Sequence, residues 1–425
     1  MKKILFQLIV LAFLILVSSN TVSATSSASL DTSTLSSGMI GVRASSNPAK
    51  KILIEISNTS KTVKYQYKSN GVLLHYQVPD GLGLFTVTVY ESTVDSKVRI
   101  LLKQSFQIKH GDINPALQEI AIANNVISWQ LSHGGWGKNN DDVYIRKWDG
   151  VETRSGDAFS VELGSIDNGA TVYEIRYLID VYNKTGNVMA RTAALKGVNF
   201  LLNMQHTTGA IPQVYPRLNH PKYPYFDAGT FNDDATVNVM ALFRDILRNR
   251  QTMGDNIFDP TTRQRVQVAF DRGLDFILKS QIVVNNKLTA WCAQHDPITY
   301  MPIKAREYEL VSISGYESVG VVKFLISLGS NDPRVVTSVN SAIAWFNQVA
   351  VKNTKYNRYA TNGKHFEPSL GNDMWYRFYD IHTNKGFFAN RDGSKVYDIM
   401  QVLKERRDGY VWAGNWAKDI VKFRH

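Results

Sequence analysis

Two acidic motifs in this chain stand where carboxylates can do chemistry. Asp167 lies in Ile166-Asp167-Asn168-Gly169-Ala170-Thr171, and Asp233 and Asp234 lie in Phe231-Asn232-Asp233-Asp234-Ala235. Each motif opens a stretch of helical period, so capping and attraction to the helix dipole account for it first. The same oxygens suit a hard cation such as Ca²⁺. A facing pair, Asp167 with Asp233, can also divide the acid and base work of an inverting hydrolysis. The basic counterparts are Lys138, Arg306, Arg377 and Arg391. A guanidinium fork matches a carboxylate through two parallel N–H bonds. Ordinary alternatives stand beside that: an ion pair from Arg306 to Glu307, Glu309 or Asp296, packing of Arg377 between Tyr376 and Tyr379, and a surface turn at Arg391. Trp136, between Gly135 and Gly137, and Trp291 offer flat faces for sugar rings, whereas Trp375 reads as core. His295-Asp296 reads as loop hydrogen bonding.

The chain has 425 residues, enough for one large domain and a smaller one. Residues 1–24 read as a signal peptide: Lys2 and Lys3, an apolar run from Ile4 to Val17, then Val22-Ser23-Ala24. That run is short for a membrane span and no other uncharged stretch is long enough, so a secreted chain with no span is expected. Cys292, the only cysteine, excludes an intrachain disulfide and a cysteine metal cluster, and reads as a small buried hydrophobe. Formal net charge is +11, and loss of Lys2 and Lys3 leaves +9. Such a surface attracts polyanions. No zinc-finger spacing, RNA-binding signature or long basic run points to nucleic acid. An anionic polysaccharide fits an exported chain better, and no feature argues for anything but a monomer.

Residues 25–49 are Ser/Thr-rich and read as a flexible linker. From 50 to 110 the pattern is strand-like, with about five strands punctuated by Ser69-Asn70-Gly71 and Pro79-Asp80-Gly81. After Asp112 the period becomes helical, with helices expected near 114–130, 169–184, 188–204, 233–249, 264–280, 312–328, 334–350 and 396–407. Several end in a glutamine followed by a glycine- or aromatic-bearing return, a weak internal repeat: Trp129-Gln130, Met204-Gln205 and Ser280-Gln281.

One further stretch, Lys304-Ala305-Arg306-Glu307-Tyr308-Glu309-Leu310, joins a series running in order along the chain. The series is Gly134-Gly135-Trp136-Gly137-Lys138-Asn139, the two aspartate motifs, Ala290-Trp291-Cys292-Ala293-Gln294-His295-Asp296, the Arg306 stretch, Trp375-Tyr376-Arg377-Phe378-Tyr379, Asn390-Arg391-Asp392-Gly393 and Glu405-Arg406-Arg407-Asp408-Gly409-Tyr410. It resembles the family 10 pectate lyases, secreted enzymes that cleave polygalacturonate by β-elimination, from about Pro115 to the C-terminus. The resemblance implies a mainly α chain, with an (α/α) toroid at 111–425 behind the small β module. It implies Ca²⁺ held by Asp167 and Asp233, with Asp234 as the alternative to Asp233. It also implies Arg306 as the base that takes the C5 proton, and Arg377 and Arg391 as clamps on uronate carboxylates. Arginine as base carries a physical difficulty, because the group is normally protonated. The β module lies outside the resemblance and reads as a spacer or packing module before a sugar-binding one. An inverting hydrolase on the same toroid, or a non-catalytic pectin-binding protein, are the rival readings.

Overall fold

The computed structural model describes residues 26–46, 50–68, 73–93, 96–138, 141–155, 161–218, 223–248, 253, 257–360 and 363–423. The expected signal peptide lies outside them. The chain divides into two compact units, Met1–Asn114 and Pro115–His425.

The first unit is all β. Strands β1 (Ser27–Asp31), β2 (Met39–Ser45) and β5 (Leu73–Gln77) form one antiparallel sheet. Strands β3 (Lys51–Ser57), β4 (Thr62–Lys68), β6 (Gly83–Ser92) and β7 (Lys97–Ile108) form another, in the order β4-β3-β6-β7. Alternate residues fill the interior, with Ile52, Ile54, Ile56, Phe85, Val87 and Val89 all buried. The flexible linker expected at 25–49 is therefore corrected, since β1 and β2 fall inside it. Its polar composition conceals one short period-two run, Ile40, Val42 and Ala44, whose side chains are buried.

The second unit is built from helices α1 (Pro115–Ser128), α2 (Val172–Thr185), α3 (Val188–Met204), α4 (Ala235–Leu247), α5 (Pro260–Lys279), α6 (Glu317–Ser327) and α7 (Pro333–Val349). The odd-numbered helices pack neighbour to neighbour as one layer, and α2, α4 and α6 as a second. A continuous helix at 396–407 is not formed. A strand pair at Lys395–Val396, a 3₁₀ turn at Ile399–Gln401 and the six-residue α8 (Lys404–Gly409) take its place.

The glutamine repeat has a physical basis. Gln130 Nε2 donates to the carbonyls of Gly134 and Ala193, Gln205 Nε2 to those of Gly209 and Ala269, and Gln281 Nε2 to those of Thr289 and Ser338. Each amide thus ties its own return loop to the next helix of the odd-numbered layer. Gln205→Ala would leave two buried carbonyls without that donor. A loss of about 1–3 kcal/mol is expected, read as a lower Tm with unchanged far-ultraviolet dichroism.

A second repeat aims the loops. The segment before α2 pairs through Gly164–Ser165 with Val214–Tyr215, that before α4 through Gly229–Thr230 with Gln294–His295, and that before α6 through Ile313–Ser314 with Phe378–Tyr379. The starts of α2, α4 and α6 are thereby held at one end of their layer.

Candidate functional site

Helices α3, α5 and α7 start with side-chain caps, Asn187, Asp259 and Asp332. The starts of α2, α4 and α6 have none. The capping explanation for Asp167, Asp233 and Asp234 therefore fails on geometry. These carboxylates stand at helix N-termini, where the dipole favours anions, without serving as caps.

Both aspartate turns use a left-handed backbone: Asn168 at φ 51° after Asp167, then Asp233 at φ 50° and Asp234 at φ 59°. Asn and Asp tolerate that region better than most residues. The two turns pack against each other. Asp167 is buried and ion-paired with Lys138, whose own side chain is half exposed. Asn232 Nδ2 donates to Asp233 Oδ2 at 2.7 Å instead of capping α4. Asp234 leans on α6, where a Cβ at Gly320 would collide with its carboxylate. Asp234 keeps an exposed edge while its carboxylate lies against α6. Burial first, then the charges of Glu317 and Asp233, push its carboxyl pKa up.

The basic residues gather around tyrosines. Arg306, with 48% of its side chain exposed, is held in a bidentate pair by Glu309, with Nε to Oε2 at 2.8 Å. Of the partners anticipated for it, Glu309 is the one taken; Glu307 pairs with Lys304. Burial acts to lower the Arg306 pKa, but the Glu309 hydrogen bonds and charge outweigh it and raise it above its ordinary value. Arg377 is buried and ion-paired with Glu317, its guanidinium between the rings of Tyr316 and Tyr410 rather than Tyr376 and Tyr379. Ser314 Oγ donates to the other oxygen of Glu317. Burial opposes the Arg377 charge, and the Glu317 carboxylate more than restores it, with Tyr410 and Asp233 adding to the same effect. That last influence places Asp233 within electrostatic reach of the guanidinium. Arg391 is exposed and pairs with Glu405 at 3.0 Å, its guanidinium carbon 5.7 Å from the Tyr308 ring centre.

The two tryptophans expected to stack on sugars do not. Trp136 and Trp291 have no exposed surface, and their Nε1 atoms donate to Val126 and Ile277 carbonyls at 2.8 and 2.7 Å. Both belong to the helical core, as does Trp375, whose Nε1 donates to the Phe346 carbonyl. They bolt each return to the preceding helix, which is why the neighbouring glycines were misleading: they admit close backbone packing, not a ligand. The exposed aromatics at the rim are Tyr173, whose ring lies against Gly169, and Tyr316. His295 is buried, with Nε2 accepting from Cys292 N and Nδ1 at 2.8 Å from the Tyr300 carbonyl. Burial drives its pKa down to about 4, so it is a neutral structural group. Cys292 is buried and its thiol pKa raised. A cavity of about 760 Å³ lined by Lys279, Gln281, Tyr300, Met301, Val311 and His382, among others, contains none of the candidate residues.

Tyr308, Glu317, Tyr316 and Tyr410 were not singled out by sequence reasoning. Two of them, Tyr308 and Tyr410, sit inside motifs already quoted, so the signal was present without an assignable role. The pairing of Glu317 with Arg377 joins residues 60 apart, which no local pattern reveals.

A family model described as pectic acid lyase matches residues 130–421. Two solved structures of a family 10 polysaccharide lyase from Cellvibrio cellulosa are each 39% identical to this chain, with TM-score 0.64, and cover 72% of it. The match spans 95% and 94% of those chains; one is a mutant with an aspartate replaced by alanine, in complex with trigalacturonic acid. No curated protein matches the chain. Together these define the class as a polysaccharide-cleaving lyase. The chain belongs to the pectic acid lyase family and is a pectate lyase.

Proposed function

We propose that the chain is an exported enzyme, with its helical unit an (α/α) toroid, that cuts the α-1,4 bonds of polygalacturonate by calcium-assisted anti β-elimination. The observation that carries this reading is the uncapped pair of acidic turns packed against each other, with Asp233 within electrostatic reach of Arg377. Arg306 and Arg391 add guanidinium groups along the Tyr308 side, so acidic and basic groups together suit an anionic sugar chain.

The donor set fits calcium in kind: Asp167 and Asp233 supply hard oxygens, and neither is spent on a cap. Among the described residues no three acidic, histidine or cysteine side chains group as a metal site by themselves. Calcium takes six to eight oxygens, so uronate and solvent oxygens would complete the shell. Bound there, it would offset the substrate carboxylate and make the adjacent C5–H more acidic. Asp234, turned onto α6, is the weaker candidate of the adjacent pair.

Arg306 is the base in this reading. Glu309 occupies Nε and Nη2, and among the described residues Nη1 has no hydrogen-bond partner. Nη1 is thus the nitrogen available to a substrate proton. The neutral guanidine accepts the C5 proton, and the C5–H electrons form the C4–C5 double bond. The C4–O bond breaks with its electron pair on the departing oxygen, which takes a proton from solvent to become a hydroxyl. Glu309 strengthens Arg306 as an acceptor by favouring its protonated form, and for the same reason makes the neutral form scarce. Arg391, exposed at the rim, and Lys138, beside Asp167, are the groups proposed to hold uronate carboxylates. Arg377 gives Nη2 to Glu317 and its faces to two rings, while its Nε is buried without a hydrogen-bond partner among the described residues. Its proposed role as a clamp on a uronate carboxylate stands beside its contribution to electrostatic potential and to the placement of Tyr316.

Mass analysis of products from trigalacturonate tests the reaction type. Elimination gives an unsaturated fragment lighter by one water than its hydrolytic counterpart. Only saturated fragments would establish the rival hydrolysis.

A further inference from the structure

The arginines and tyrosines of the site alternate in one continuous stack. In order they are Tyr316, Arg377, Tyr410, Arg406, Tyr308 and Arg306. The Arg377 guanidinium carbon lies 4.6 Å from the Tyr316 ring centre and 4.7 Å from that of Tyr410. Arg406 lies 3.8 Å from Tyr410 and 3.6 Å from Tyr308, and Arg306 lies 5.0 Å from Tyr308. Arg391 approaches the same Tyr308 ring at 5.7 Å.

Three of these cations have carboxylate partners: Glu309 for Arg306, Glu317 for Arg377 and Glu405 for Arg391. Arg406 has none among the described residues. It is 4% exposed, and its Nε and Nη2 are buried without hydrogen-bond partners. A buried, unpaired charge is costly, and the two ring faces offset only part of that cost. Burial pushes the Arg406 pKa down, Tyr308 and Tyr410 oppose this, and Arg391 and Arg306 add to the depression. A side chain kept charged at such a cost is expected to serve function rather than stability.

We infer that Arg406 is a positioning residue for the proton-accepting arginine, its uncompensated charge biasing Arg306 across the Tyr308 ring toward the neutral guanidine. The inference rests on Arg306 being the base. It works against Glu309, whose hydrogen bonds and charge still leave the Arg306 pKa above its ordinary value. The charged and titratable groups facing Arg306 are Glu309, Tyr308, Tyr410, Tyr225, Arg391 and Arg406. Glu405, paired with Arg391, acts on Arg406 only through space, and of these groups Arg406 is the cation with no carboxylate hydrogen-bonded to it among the described residues. Its field is also shielded from solvent, whereas Arg391 is exposed and neutralised by Glu405.

The test compares Arg406→Met with Arg406→Lys across pH, on polygalacturonate at saturating calcium. Loss of the cation should raise the pH at which Arg306 becomes neutral, so the rising limb of kcat moves to higher pH. On that limb kcat should fall about tenfold at fixed pH, with KM within about twofold. Arg406→Lys, which keeps a cation between the rings, should recover most of kcat and return the limb. An unmoved limb in Arg406→Met would overturn the inference, and so would a KM rise at normal kcat, which would make Arg406 a substrate contact. Equal losses in both variants with a lowered Tm would reduce it to packing. If Arg406→Met does not fold, Arg406→Gln supplies the same comparison. The base assignment is judged separately: normal kcat in Arg306→Lys removes it, whatever Arg406 does.

Discussion

Arg306→Lys is expected to lower kcat on polygalacturonate by about 10²–10⁴-fold, the usual contribution of a positioned acid or base. KM should change far less, because Arg391 and Lys138 remain to hold uronates. Lysine keeps the positive charge and a partner for Glu309, so a purely structural ion pair would survive the change. What it loses is the planar fork. Glu309 holds Nε and Nη2 and leaves Nη1 outward, and an ammonium cannot make that division. Circular dichroism should show the parent fold. A companion change, Glu309→Gln, removes the carboxylate that raises the Arg306 pKa. The sign follows: with that pKa lowered, neutral Arg306 appears at lower pH, and the rising limb of kcat moves down. A limb that stays in place would detach Glu309 from the titration.

Asp233→Asn should raise the calcium concentration needed for half-maximal activity by at least tenfold, the order seen when a metal site loses a supporting group. Asparagine can still sit at φ 50° and still hydrogen-bond to Asn232, so the turn should hold while the charge is lost. The checks are a calcium titration of activity and, independently of turnover, the calcium-dependent rise in Tm, which should shrink in the variant. An unchanged titration would remove Asp233 from the metal site and leave Asp167 and Asp234 to be tested.

Much of this architecture was legible because it is local. The seven helices show as a 3.6-residue period, and the aspartate turns as Asp or Asn at helix starts. The Gln130, Gln205 and Gln281 ties follow their helices closely enough in sequence to be visible as a repeat. What failed was non-local. Trp136 and Trp291 looked cleft-facing because both offer a flat face to a sugar ring and glycines flank Trp136. Which side of a loop faces the core is decided by the carbonyls of Val126 and Ile277, and sequence does not show that. The expected packing of Arg377 on its sequence neighbours was replaced by Tyr316 and Tyr410, because Arg377 sits at the bend between two short strands and reaches Glu317, 60 residues away. The strands at Ser27–Asp31 and Met39–Ser45 were hidden by serine and threonine, which suit a sheet edge as well as a linker. Arg406 stood inside a quoted motif, yet its lack of a carboxylate is a property of three dimensions.

The decisive measurement is the ultraviolet absorbance of polygalacturonate incubated with the unmodified enzyme. Elimination leaves a C4–C5 double bond conjugated to the carboxylate, so absorbance should climb with calcium present, stop on addition of a chelator and resume when calcium is returned. New reducing ends accumulating with no rise in absorbance would contradict it.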